Sequence, residues 1–288
     1  MKQPRVLVTG AKGQLGKDMV NSLTSVGYQV YGFGRDELNI TDSCRVKQVI
    51  SEIQPAIVIH TAAHTKVDLA ESEPEEAFLI NGIGTRNLAV YSESIGAKMV
   101  YISTDYVFDG TGTVPYNEFT STSPLGVYGR SKLAGEHFVQ NFHSKFFIVR
   151  TSWVYGQHGN NFVKTMLEIA KDRDELSVVN DQRGCPTYTI DLASYILQLI
   201  DSEKYGVYHI SNSGQCTWYE FAKAIFEEAG IEIQVNPCTT NDFPRPAPRP
   251  AYSVFDHMSL RLNGFNTPRG WRDALKEFLN VTYLNDTK

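Results

Sequence analysis

The sequence predicts a doubly wound α/β fold: a parallel sheet covered by helices on both faces, followed by a smaller α/β unit. Three observations carry this expectation. Short apolar runs alternate with helical periodicity through the first half of the chain. A glycine-rich turn directly follows the first apolar run, and beyond Trp153 the alternation loosens. Continuous apolar strands between helices imply a parallel sheet buried on both sides.

Val6-Leu7-Val8 is the first strand, ending in Thr9-Gly10, and the helix after it runs to about Val26 and closes at Gly27. Gln29 to Phe33 follows as a strand, then a helix from Asp42 to Ile53 with Thr41 or Ser43 as cap and Pro55 beyond its end. Ala56–His60 reads as a strand, Glu75–Ile95 as a helix, Met99–Ser103 as a strand, Leu125–Asn141 as a helix and Phe146–Val149 as a strand. In the second half, helices are expected over Asn161–Ala170, Ile190–Ile200, Trp218–Ala229 and Trp271–Leu279, with a strand at Tyr208–Ile210. Phe243 to Tyr252 holds four prolines and two arginines, so it is a loop.

Composition excludes several classes. Of the 288 residues, 42% are hydrophobic and 20% charged, which is ordinary globular usage. The net charge of -5 advertises no basic face for nucleic acid. Cys44, Cys185, Cys216 and Cys238 are scattered without a CxxC pair, as expected of reduced thiols rather than a zinc site or disulfides. No apolar run approaches the roughly 20 residues that span a bilayer, and the N-terminus lacks a signal-peptide core. The expectation is a cytoplasmic protein with neither nucleic acid nor membrane as partner.

Thr9-Gly10-Ala11-Lys12-Gly13-Gln14-Leu15-Gly16 joins the first strand to the first helix with GxxGxxG spacing. Gly10 permits the tight turn, Gly13 lets backbone approach a pyrophosphate, and Gly16 lets helix and strand pack closely. The helix end offers free N–H groups to the phosphates. Such glycines can serve packing alone, but their place between an N-terminal strand and a helix favours a dinucleotide loop. Gly34-Arg35-Asp36 closes the second strand. An acid there binds the ribose hydroxyls of NAD and an arginine the extra phosphate of NADP. Arg35 comes first and favours NADPH, with NADH as the alternative.

Tyr128 and Lys132 lie at i and i+4 on one helix face. An ammonium beside a phenol favours the phenolate, lowering the tyrosine pKa toward a range useful for proton transfer. Ser103-Thr104-Asp105 ends a strand on the side where doubly wound sheets bind ligands. Thr104 can donate to a carbonyl oxygen as charge develops there, or simply satisfy a turn.

The glycine loop, the Ser/Thr-rich strand end and YxxxK, in this order, resemble the extended short-chain dehydrogenase/reductase superfamily, with its Rossmann domain. His60-Thr61-Ala62-Ala63 matches the stretch lining its cofactor, and Asn81 its helix asparagine. Further stretches resemble the dTDP-4-dehydrorhamnose reductase family, the last enzymes of dTDP-L-rhamnose synthesis. They are Ala62-Ala63-His64-Thr65-Lys66-Val67-Asp68, Ala70-Glu71-Ser72-Glu73-Pro74, Ser103-Thr104-Asp105-Tyr106-Val107-Phe108 and Arg150-Thr151-Ser152-Trp153-Val154-Tyr155. Gly159-Asn160-Asn161-Phe162, Asp181-Gln182-Arg183-Gly184-Cys185-Pro186-Thr187 and Arg249-Pro250 with Ser253 complete the set.

The resemblance implies Thr104, Tyr128 and Lys132 as catalytic. It implies cofactor contacts from Gly13-Gln14-Leu15, Asn39-Ile40 and Ala63-His64-Thr65, and sugar contacts from Thr104, Asp105 and the indole of Trp153. With the glycine-loop and strand-end readings, the expected cofactor set is Gly10, Gly13, Gln14, Leu15, Gly16, Arg35, Asn39, Ile40, Ala62, Ala63, His64 and Thr65. Arg249, with Arg245, is a candidate for the substrate pyrophosphate. The implied partner is a dTDP-sugar whose C4 ketone is reduced, and a homodimer is admitted. The expected dinucleotide domain is 1–152, with returning segments near 186–210 and 250–260, and the substrate domain is mainly 153–288.

Two departures from the family pattern are visible. Asn39 stands where Asp is common, and Ile190 stands at one position of a Mg²⁺ carboxylate set to which Asp18 could belong, so no metal is expected. Tyr106 replaces the carboxylate that dehydratases of the superfamily carry after Thr-Asp, which leaves carbonyl reduction. An epimerase and a non-catalytic regulatory subunit are the rival readings.

Overall fold

A computed structural model describes residues 3–283; Met1, Lys2 and residues 284–288, inside the domain ranges expected above, lie outside the described residues. The main sheet takes β1 (Arg5–Thr9), β2 (Gln29–Phe33), β3 (Ile57–His60), β4 (Lys98–Thr104) and β5 (Phe146–Thr151), with the strand Gly206–His209 beside β5. Its order is β2-β1-β3-β4-β5 and then Gly206–His209, all parallel. The chain steps outward from β1 to β2 and returns to place β3 on the other side of β1. That reversal opens a crevice at the carboxyl ends of β1 and β3.

Alternate residues of β1 serve opposite faces. Val6 and Val8 pack with Met19 and Leu23 of α1 (Gln14–Ser25) and with Leu192 and Ile196 of the helix Thr189–Ile200. Leu7 joins Val46 and Ile50 of α2 (Ser43–Ile53), Leu88, and Val139 on the other face. Both faces are covered, as the apolar strands require.

The connection from β3 to β4 differs from expectation. In place of one helix from Glu75 to Ile95, the chain forms α3 (Val67–Ser72), α4 (Pro74–Phe78), a π-helical turn Leu79–Gly84 and α5 (Thr85–Ser94). A Cβ at Gly84 would lie 2.7 Å from Ile40 Cδ1, so the glycine admits the close approach. Such single π turns recur at functional sites, and this one carries Asn81 inward. α2 is capped by Asp42, which accepts from Arg45 N at 3.0 Å, rather than by Thr41 or Ser43. α6 (Val127–Phe142) follows β4.

A second core gathers Tyr155, Val163, Leu167, Phe221, Ile225, Leu275 and Phe278. Helices Phe162–Ile169, Trp218–Ala229 and Trp271–Thr282 build it against a parallel pair, Glu175–Val179 with Gln234–Cys238, that the sequence reading missed. Pro237 inside the second of these masks it, although an edge strand tolerates proline. Residues 243–251 hold neither helix nor strand, as expected. Among the described residues no helix is long and apolar enough to cross a membrane.

Candidate active site

The carboxyl ends of β1, β3 and β4 and the N-terminal ends of α1 and α6 open on a cleft of about 1420 Å³. All twelve residues of the expected cofactor set line it, together with Thr104, Asp105, Tyr128, Lys132 and Trp153. Arg249 does not.

The glycine loop fits a dinucleotide. Gly10 has φ 69°, and a Cβ on it would lie 2.6 Å from Ala62 N across the crevice. A Cβ on Gly16 would collide with the Gly10 carbonyl. The N-cap of α1 is Gly13, with no side chain capping it, so the first N–H groups of the helix face the cleft. His64 Nδ1 is buried without a hydrogen-bond partner among the described residues. Asn81 brackets His64: its Oδ1 accepts from His64 N at 2.8 Å and its Nδ2 donates to His64 O at 3.1 Å and Ser131 Oγ at 2.9 Å. The asparagine therefore holds the loop after β3 against α6. His60, expected with the cofactor-lining stretch, is instead buried between Thr9 and Thr85, and burial pushes its pKa down to about 3.

At the end of β2, the Arg35 side chain is 82% exposed and pairs with Glu76 at 3.3 Å. Lys12, which the sequence reading passed over, pairs with Glu37 at 3.1 Å and lays its stem across Gly34. Asn39 Oδ1 accepts from Thr41 N and Thr41 Oγ1, which shapes the turn before α2.

Tyr128 is the second residue of α6. Glu71 Oε1 accepts from Val127 N at 2.7 Å and so caps that helix, which gives the Ala70–Pro74 stretch a physical role. The Tyr106 ring meets Tyr128 edge-on, with centroids 5.4 Å apart. The expected lowering of the Tyr128 pKa is not found. Burial pushes the phenol up to about 12, against a hydrogen bond with Thr104 that favours the phenolate. The Lys132 Nζ donates to Ile102 O at 2.6 Å and lies 4.1 Å from the Tyr101 ring centroid. Burial pushes Lys132 down to about 7, with Glu136 acting in the opposite sense. Glu136 itself accepts from Ser103 Oγ and takes Arg150 Nη2 at 2.7 Å.

Trp153 sits at φ 47°, a left-handed conformation uncommon outside glycine. Its indole stacks on Trp218 at 3.6 Å between ring centroids, 8° from parallel. A Cβ on Gly184 would lie 2.6 Å from Trp153 Cε2, so that position of the Asp181–Thr187 stretch must be glycine. Trp218 Nε1 donates to Gln182 Oε1 at 3.2 Å. Gln182, Trp218 and Tyr106 also line the cleft; Tyr106 and Gln182 lie in stretches quoted above without a site role, and nothing local in the sequence ties Trp218 to them. Arg249 pairs with Asp68 at 2.9 Å, a carboxylate that draws the guanidinium off the cleft wall, and Arg245 is exposed. Asp18 is buried, 3.5 Å from His158 Nε2.

Residues 4–284 match the family model described as the RmlD substrate binding domain. The chain is similar to the spore coat polysaccharide biosynthesis protein SpsK of Bacillus subtilis (strain 168), 48% identical over 96% of each chain. It is similar to the dTDP-4-dehydrorhamnose reductase of Streptomyces griseus, 42% identical over 96% of this chain and 93% of that one. It also resembles the crystal structure of dTDP-4-dehydrorhamnose reductase from Bacillus anthracis str. Ames in complex with NADP. That likeness has a TM-score of 0.96 and 51% identity, covering 98% of this chain and 100% of the other. The cleft and these relatives agree: the chain belongs to the dTDP-4-dehydrorhamnose reductase family.

Proposed function

We propose that the protein reduces the C4 ketone of dTDP-4-dehydro-L-rhamnose with NADPH, giving dTDP-L-rhamnose. One observation carries the reading: a single cleft joins an uncapped helix end behind a glycine loop to Thr104, Tyr128 and Lys132. The bound nicotinamide supplies the hydride. Tyr128, neutral below its raised pKa, holds the proton for the C4 alkoxide. Lys132 places positive charge under the site, and Thr104 hydrogen-bonds at the reacting oxygen. The stacked Trp153 and Trp218 offer an apolar wall to the sugar. We assign the cofactor unit to residues up to 152, with the returning segments near 186–210 and 250–260, and the sugar unit mainly to the remainder. The enzyme is proposed to work in the cytoplasm, and light scattering checks whether it is a homodimer.

NADPH oxidation across a panel of nucleotide-4-keto-6-deoxysugars tests the reading. Turnover of the dTDP-rhamnose precursor is expected. Tightly retained NAD after purification would favour an epimerase, and no turnover with any sugar a non-catalytic subunit.

Trp153→Ala should raise KM for the nucleotide sugar more than it lowers kcat. It also removes a large half-buried ring, so the melting temperature should fall by a few degrees. A large loss of unfolding free energy with unchanged KM would make Trp153 a core residue only.

Arg35→Ala should shift the kcat/KM ratio away from NADPH by about tenfold or less. A charged hydrogen bond contributes about 1.5–3 kcal/mol, and exposure together with the Glu76 pair reduces it here. An unmoved ratio in the variant would leave Arg35 a surface charge.

A further inference from the structure

Thr104 has one hydroxyl proton and two neighbours able to take it. Its Oγ1 donates to Asp105 Oδ1 at 2.9 Å, and the same hydroxyl acts on the Tyr128 phenol in the sense that favours the phenolate. The N–H of Tyr106 donates to Oγ1 at 3.2 Å. A proton committed to Asp105 is not available to a ketone beside Tyr128, because a hydroxyl donates once. Asp105 is only 2% exposed and lines the cleft, and its Oδ2 is buried with no partner at hydrogen-bond geometry among the described residues.

We propose that Asp105 is a positioning residue whose protonation directs the Thr104 hydroxyl. The carboxylate keeps the Thr104 proton pointed at itself. The neutral acid donates to Thr104 Oγ1 instead and frees the threonine proton for the substrate oxygen. This rests on the reductase reading above and extends it with a pH response.

The surroundings suit the device. Tyr106, Tyr128 from α6 and the Cys185 thiol face Asp105, and all three have pKa values raised by burial, Cys185 to about 11. The Arg249 and Asp68 charges act on Tyr106 in opposite senses. No cation pairs with Asp105 among the described ion pairs. Burial therefore pushes its carboxyl up to about 6, against hydrogen bonds from Ser253, Thr104 and the local backbone that favour the anion. Lys132, which also lines the cleft, is pushed down by burial to about 7.

Sign follows from which form is active. The neutral acid frees Thr104, so kcat should fall as pH rises through about 6. The drop should be about three- to tenfold, the worth of one neutral hydrogen bond in the transition state. A second fall at higher pH belongs to Lys132.

The test uses the full chain, Asp105→Asn and Thr104→Val. Carbon-13 NMR of aspartate-labelled protein should show one carboxyl titrating near pH 6. It should vanish in Asp105→Asn and move to higher pH in Thr104→Val, which loses the donor that favours the anion. With saturating NADPH and nucleotide sugar, Asp105→Asn should lose the lower limb of the kcat profile and keep the upper one, since the amide N–H donates to Thr104 as the acid does. A titration unmoved by Thr104→Val, or a lower limb that persists in Asp105→Asn, overturns the proposal. Absence of turnover by wild-type protein would overturn the reductase reading, and the NMR arm would still decide whether Asp105 and Thr104 are coupled.

Discussion

Tyr128→Phe is expected to bind NADPH almost as wild type does and to lose about 10²–10⁴-fold in kcat, the usual contribution of a positioned general acid. Phenylalanine keeps the ring that meets Tyr106 edge-on and deletes only the hydroxyl. The phenol is pushed up to about 12, so wild-type Tyr128 carries its proton throughout the working pH range. That suits protonation of an alkoxide more than abstraction from an alcohol, and it favours the reductive direction. Fluorescence titration with NADPH and steady-state rates separate binding from chemistry. A variant retaining more than about a tenth of wild-type kcat would remove Tyr128 as the acid.

Glu136→Ala should be among the most destabilising single changes, with a loss of about 3–5 kcal/mol in unfolding free energy. Glu136 and Arg150 are 1% and 4% exposed, and Arg150 grips the carboxylate through Nη2 at 2.7 Å and Nε at 3.0 Å. Truncating the acid strands a buried guanidinium. Replacing both, Glu136→Leu with Arg150→Met, should recover much of the loss, because apolar pairs of similar volume fill such sites well. Glu136 also favours the charged form of Lys132, so in any folded Glu136 variant the alkaline limb of kcat should move to lower pH. Urea unfolding measures the first effect. A loss below about 1 kcal/mol would show that the pair contributes little beyond its geometry.

Legibility followed distance along the chain. The glycine loop, β2 and the helix over residues 218–229 are local patterns, and they stand where the sequence placed them. Thr104, Tyr128 and Lys132 were found because a strand end and an i, i+4 spacing are local too. What those side chains touch was not local. Lys132 reaches Ile102, Arg249 reaches Asp68, and Trp153 reaches Trp218 across many residues. The tyrosine pKa was misjudged for the same reason. Spacing put Lys132 on the same helix face, and only the packing shows its ammonium tied to a backbone carbonyl. The π turn at residues 79–84 and the edge strand containing Pro237 each break a local rule that tertiary packing overrides.

The most direct test of the central claim is to react the protein with dTDP-4-dehydro-L-rhamnose and NADPH deuterated at the transferable position, then locate the label by NMR. The account predicts dTDP-L-rhamnose with deuterium on sugar C4. Unlabelled product, label elsewhere on the ring, or a product epimerised without net NADPH consumption would contradict it.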